Sequence, residues 1–206
     1  MTDEQIVDAA PNLASNPWKL MLFKPRATIQ QIIDSNPGKH VITLAFLYGI
    51  SLGLFGFATG HLKYNFLTIL LMISIGGLLG MVQLFIYAWF VDAFSESMRG
   101  KATRKEIRAA LAWGRLPWVC GQLFIVPMSF VFMYKTVATV CVIVDAIIFA
   151  WSFINTVISV SQVQGFSIWN TVKNIILAYI FGSIVLVIIL LPVVFLIVYI
   201  ELILKF

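Results

Sequence analysis

Residues 140–151 read VCVIVDAIIFAW: one carboxylate, Asp145, set among side chains that partition into oil. From Thr136 to Ser161 there is no other Asp, Glu, Lys or Arg, and a hydrocarbon core of about 30 Å takes about 20 helical residues to cross. The stretch therefore reads as a transmembrane helix. Outward from it, four further runs carry no charge at all: Val41–Leu62, Tyr64–Val91, Leu116–Tyr134 and Asn174–Ile200. Five crossings follow, at 41–62, 64–91, 116–134, 136–161 and 174–200. The whole composition agrees, with 61% hydrophobic and 11% charged residues and a mean hydropathy of +0.97. Continuous apolar runs without period-two alternation favour helices over a membrane barrel, so the expected fold is an all-α integral membrane bundle.

Placing the N-terminus in the cytoplasm puts eleven of the fourteen Lys and Arg on that side. They are Lys19, Lys24, Arg26 and Lys39 before the first crossing, Arg99, Lys101, Arg104, Lys105, Arg108 and Arg115 in the loop 92–115, and Lys173 before the fifth. Lys63, Lys135 and Lys205 fall on the other. That asymmetry specifies an N-in, C-out chain. The net charge of +5 and pI near 9.3 then describe a cytoplasmic face lying against anionic lipid headgroups, not a nucleic-acid surface.

Ahead of the first crossing, a polar tail at 1–15 gives way to an arm at 16–40, NPWKLMLFKPRATIQQIIDSNPGKH. Pro17, Pro25 and Pro37 each read as a helix start, two of them behind an Asn suited to N-capping. Two short amphipathic helices in the cytoplasmic interface are expected, with Ile29, Ile32 and Ile33 on one face of the second. The first crossing carries Gly49, Gly53, Gly56 and Gly60, and the second Gly76 and Gly80, a spacing that lets helix backbones approach closely. The same residues suit packing of the two crossings on each other or a seam between two copies. In the loop, Thr103 and Glu106 form a capping-box pattern that starts a helix running toward the membrane. Pro117, Pro127 and Pro192 punctuate the later crossings.

Asp145 falls near the midplane. Steps of seven residues along its helix reach Ser152 and Ser159, with Thr156 close to the same direction, so one face is polar from there to the cytoplasmic side. Gln83 and Gln122, on crossings two and three, are placed to face it. A carboxyl at that depth is either a protonatable site lining a path or a member of a hydrogen-bonded cluster that fixes packing. Nothing in the sequence marks catalytic, cofactor-binding or metal-binding residues. His40 and His61 belong to opposite ends of crossing one, Cys120 and Cys141 lie within spans, and there is no phosphate-loop motif.

Three of these stretches resemble the Yip1 family of small membrane proteins, in particular its compact bacterial branch: NPWKLMLFKPRATIQQIID before the first crossing, GKATRKEIRAALAWGRLP entering the third, and SVSQVQGFSIWNT between the fourth and fifth. The resemblance implies a five-helix membrane domain, here 41–206, with a cytoplasmic N-terminus and no catalytic residues. Eukaryotic members are associated with Rab GTPases, membrane trafficking and assembly with themselves or other membrane proteins. With 40 residues before the first crossing, the long cytosolic arm of those proteins has no counterpart here, and GTPase binding is not expected.

The sequence thus leads to a non-enzymatic multi-pass protein of a bacterial inner membrane. Its partners would be lipid headgroups, a second copy or another membrane protein, met through Trp18, Lys24 and Arg26 in the arm and Arg104, Lys105 and Arg108 in the loop. The alternative is a small permease or lipid-handling protein in which Asp145 exchanges a proton along Ser152, Thr156 and Ser159.

Overall fold

A computed structural model describes residues 16–58, 66–131 and 135–203. The tail at 1–15, together with Gly60, His61, Lys63, Lys205 and the side chains of Pro127, Lys135 and Glu201, lies outside that description. Every regular element among the described residues is helical: α1 Pro17–Phe23, α2 Pro25–Ser35, α3 Val41–Ala58, α4 Phe66–Glu96, α5 Arg104–Gly114, α6 Leu116–Val131, α7 Lys135–Gln164 and α8 Ile168–Ile203. Three stretches are long and apolar enough to cross a membrane, Ile69–Glu96, Val140–Gln164 and Ile168–Pro192, while the apolar Val41–Leu54 in α3 is shorter. At about 1.5 Å per residue the 36-residue α8 exceeds a hydrocarbon core of about 30 Å, so its ends emerge from it.

The arm follows its capping signals in part. Asn16 accepts from the Trp18 amide at 3.1 Å, and Pro17 and Pro25 open α1 and α2. Pro37 does not open a helix. Asn36 instead accepts from the Gly38 amide at 3.0 Å, and the chain turns through His40 at a φ of 60° before α3 begins at Val41. The bond is of the kind that caps α1, but here it closes only a turn, because His40 at positive φ interrupts the helical backbone before Val41.

Gly49 on α3 meets Gly76 and Gly80 on α4, and a Cβ on Gly49 would stand 2.7 Å from the Gly80 Cα. Of the two uses open to these glycines, packing of the two helices within one chain is the one found here.

The largest departure from the sequence reading is α5. The sequence reading has a helix start at Thr103 in the polar loop 92–115 and run toward the membrane, without its burial inside the bundle. Thr103 and Glu106 form the capping box, with the Thr103 amide donating to Glu106 at 2.6 Å. Beyond Arg108 every residue from Ala109 to Val119 is buried. Small side chains explain how a helix fits there: Ala109, Ala110 and Ala112 let α5 lie among α2, α3, α4 and α7, and a Cβ on Gly114 would come within 2.6 Å of the Thr156 Cα. Trp113, 1% exposed, fills the space above the arm, its ring 5.1 Å from Trp18 and 6.3 Å from His40. Pro117, with no amide proton, sits in the first turn of α6, where none is required, and α5 and α6 meet at Arg115 as a broken helix.

Outside this core, α4, α7 and α8 present a surface of exposed large apolar residues, including Leu78, Trp89, Val142, Ile147 and Ile188. So extensive an apolar surface suits lipid and not water.

Gly80→Leu is expected to destabilise the protein by about 2 kcal/mol or more by wedging α3 from α4. Leu78→Ala, on the exposed side of the same helix, should stay within about 0.5 kcal/mol. Thermal melting in one detergent compares them.

Candidate functional site

Arg115 lies at the break between α5 and α6 and is 4% exposed. The sequence reading placed it among the cytoplasmic basic residues. The structure instead sets its guanidinium carbon over three tyrosine rings, 4.5 Å from the Tyr48 centroid, 5.5 Å from Tyr87 and 5.7 Å from Tyr179. The rings come from α3, α4 and α8. Arg115 Nη2 donates to the Tyr179 hydroxyl at 3.3 Å, and the Tyr87 hydroxyl is 3.0 Å from Ser183 Oγ. Beside the guanidinium is a cavity of about 150 Å³ lined by Tyr48, Leu52, Arg115, Trp118, Phe149, Ser152, Phe153, Thr156 and Tyr179. The sequence marks the depth of Arg115 but none of its ring partners. Arg115 is two helical turns past Arg108, about 10 Å farther along the axis, and no charged residue follows it until Lys135.

The polar set predicted around Asp145 divides. Gln122 does face Asp145, donating from Nε2 at 2.7 Å. Gln83 does not: its Nε2 donates at 3.3 Å to the Tyr87 hydroxyl, one turn along its own helix. Ser152, Thr156 and Ser159 are buried, and the Thr156 hydroxyl donates back to the Ser152 carbonyl at 2.8 Å. Their face of α7 is turned toward α5, where Gly114 packs on Thr156. Asp145, only half-buried, borders instead an outer groove with Trp118, Val142, Ala146 and Phe149. Two buried amides escaped the sequence reading because a lone Asn in a span carries no pattern. Asn155 donates to the Met21 carbonyl at 3.1 Å and ties α7 to the arm, and Asn174 donates to the Val91 carbonyl at 3.2 Å and ties α8 to α4.

The basic residues named from the sequence also separate. Lys24 and Arg26 line a surface groove with Phe23, Pro25, Ala27, Ile158 and Ile168. Lys105 and Arg108 line another, of about 360 Å³, with Asn36–Gly38, Val41, Ile42 and Phe85, and the Arg108 guanidinium rests 4.9 Å over the Phe85 ring. Arg104 is committed elsewhere, its Nε 2.6 Å from Asp92 in an ion pair. Trp18 is half-buried against Trp113 and His40, which makes it a packing residue of the arm.

A family model described as the Yip1 domain matches residues 18–200. No curated protein and no solved structure matches the chain.

Gln122→Leu would leave the Asp145 carboxyl without its amide donor, at a cost of about 1–3 kcal/mol. Asp145→Asn keeps an acceptor oxygen and should cost less. Melting of both variants in matched micelles checks the order, and equal losses would contradict it.

Proposed function

The chain belongs to the Yip1 family, and on that premise we propose a five-crossing, non-enzymatic protein of a bacterial cytoplasmic membrane whose N-terminal, basic face binds anionic headgroups. In this reading α3 and α6 complete the crossings begun by α4, α7 and α8. The observation that carries it is the pairing of cations with apolar walls at one end of the bundle. Lys24 and Arg26 stand beside Phe23 and Ile168, and Lys105 and Arg108 beside Ile42 and Phe85. A side chain whose stem lies on apolar surface while its charge points outward is what a headgroup boundary selects. The grooves share one end because the Lys101 amide donates to the Gln164 carbonyl at 3.3 Å, and Gln162 donates to Gln30 at 3.3 Å. These links hold α2, the start of α5 and the end of α7 together. Phe23 and Trp169, 77% and 76% exposed, add the aromatic residues favoured at that boundary.

Gln122 engages Asp145, Gly114 of α5 packs on Thr156, and Ser152 and Ser159 are buried. This favours a cluster that fixes packing over a proton path.

Each cation near an anionic surface contributes about 1 kcal/mol. The expected outcome is that Lys24→Glu, Arg26→Glu, Lys105→Glu and Arg108→Glu together abolish the preference for spin-labelled phosphatidylglycerol over phosphatidylcholine in reconstituted vesicles. In the unaltered protein that preference should weaken with salt. A preference unchanged by the four reversals would sink the reading.

A further inference from the structure

We propose that the groove between the Asn36–Gly38 turn and the start of α5 is a discrete site for one phospholipid, held by its headgroup phosphate. The inference rests on the headgroup reading above and deepens it: one phosphate is clamped by geometry, where the basic face as a whole attracts by net charge.

Lys105 and Arg108 are three residues apart and share one face of α5, lining a groove of about 360 Å³. Lys105 is exposed and Arg108 half-buried. Arg108 is braced on two sides: its Nε donates to the Arg104 carbonyl at 3.2 Å, and its guanidinium carbon rests 4.9 Å over the Phe85 ring. The N–H groups of Nη1 and Nη2 make no hydrogen bond among the described residues, and neither nitrogen is among the enclosed, unbonded side-chain atoms, so these donors are accessible. A guanidinium edge fixed in this way presents parallel donors to two oxygens of one phosphate. Lys105 adds a second cation to the same groove.

The rest of the lining agrees. Asn36 Oδ1 is taken by the Gly38 amide, which leaves the Nδ2 group as a donor. No carboxylate lines the groove. Of the acids near these elements, Glu106 accepts from the Thr103 amide, Asp92 pairs with Arg104 and Asp34 accepts from Gln30. Donors gathered without an acid to answer them select an acceptor-only group, and an ionised phosphate is one. The apolar wall says what carries that phosphate. Ile42 and Phe85 are exposed, and from Phe85 the exposed face of α4 continues through Val82 and Leu78 in steps of three and four residues, away from the polar end of the helix. An acyl chain can follow that line while the phosphate stays in the groove. Free phosphate would leave it uncovered.

The test is titration of delipidated protein in an uncharged detergent with dioctanoyl phosphatidylglycerol, read by native mass spectrometry. Dodecanoate serves as a carboxylate amphiphile of like charge, and inorganic phosphate as a competitor. Arg108→Lys keeps the positive charge and a good helix former but loses the fork. One phosphatidylglycerol should bind the unaltered protein, and Arg108→Lys should weaken it at least about tenfold. Reversal of Lys24 and Arg26 should leave that single lipid in place, dodecanoate should not occupy the site, and inorganic phosphate should not displace the lipid. In vesicles, Arg108→Lys should keep the preference for spin-labelled phosphatidylglycerol, because that preference follows net charge. The two readings therefore fail separately: a preference that resists the four reversals removes the basic-face reading, whereas the clamped site is overturned if Arg108→Lys binds the lipid as tightly as the unaltered protein. It is overturned equally if dodecanoate binds as well as the phospholipid, if inorganic phosphate displaces the lipid, or if reversing Lys24 and Arg26 alone abolishes binding.

Discussion

A guanidinium cannot shed its proton inside a protein, so burying one obliges its surroundings to compensate. Arg115 meets that requirement with aromatic faces and not with a carboxylate. Tyr48, Tyr87 and Tyr179 arrive from three helices, and the Tyr87 and Tyr179 rings lie 4.6 Å apart. Desolvated contacts of this kind are worth about 2 kcal/mol each, comparable to a buried apolar side chain. They are also directional, so α3, α4 and α8 must meet the α5–α6 break in one register. Lipid supplies no hydrophobic drive between helices, which leaves such polar and aromatic contacts to specify the arrangement.

The position of α5 follows from the same break. A helix of Ala109, Ala110 and Ala112 presents little side-chain volume, and Gly114 brings it onto the backbone of α7 at Thr156. Trp113 then faces the arm and gives Trp18 and His40 a surface to pack on. Asn155 holds α1 from the other side through the Met21 carbonyl. The arm is thereby fastened to the bundle at two points, and the grooves holding Lys24 with Arg26 and Lys105 with Arg108 take their shape from elements that are themselves held in place.

Two classes of positive charge result. Lys24 and Arg26, and Lys105 and Arg108, line surface grooves beside apolar side chains. The charge at Arg115 is enclosed among three tyrosine rings and screened little.

Much of this was legible in the residues themselves. Hydrophobic runs longer than a bilayer core marked α4, α7 and α8 because the cost of exposing backbone in lipid leaves a continuous apolar helix as the solution. The Asn16 and Thr103 caps, the glycines of α3 and α4, and the Gln122–Asp145 pair were likewise readable, since each depends on local spacing or on a polar group needing a partner. The burial of α5 was not. Its basic first turn resembles any cytoplasmic loop, and alanines are equally at home on a surface. The fates of Trp18, Gln83 and Arg115 depended on which neighbours stood within a few ångströms. That is set by the relative rotation of helices far apart in the chain, which hydropathy does not encode. The sequence by itself determined a helical protein with runs long and apolar enough to cross a membrane. Only the tertiary structure decided that the charge of Arg115 lies inside, because its compensation comes from three tyrosines that no stretch of the sequence brings together.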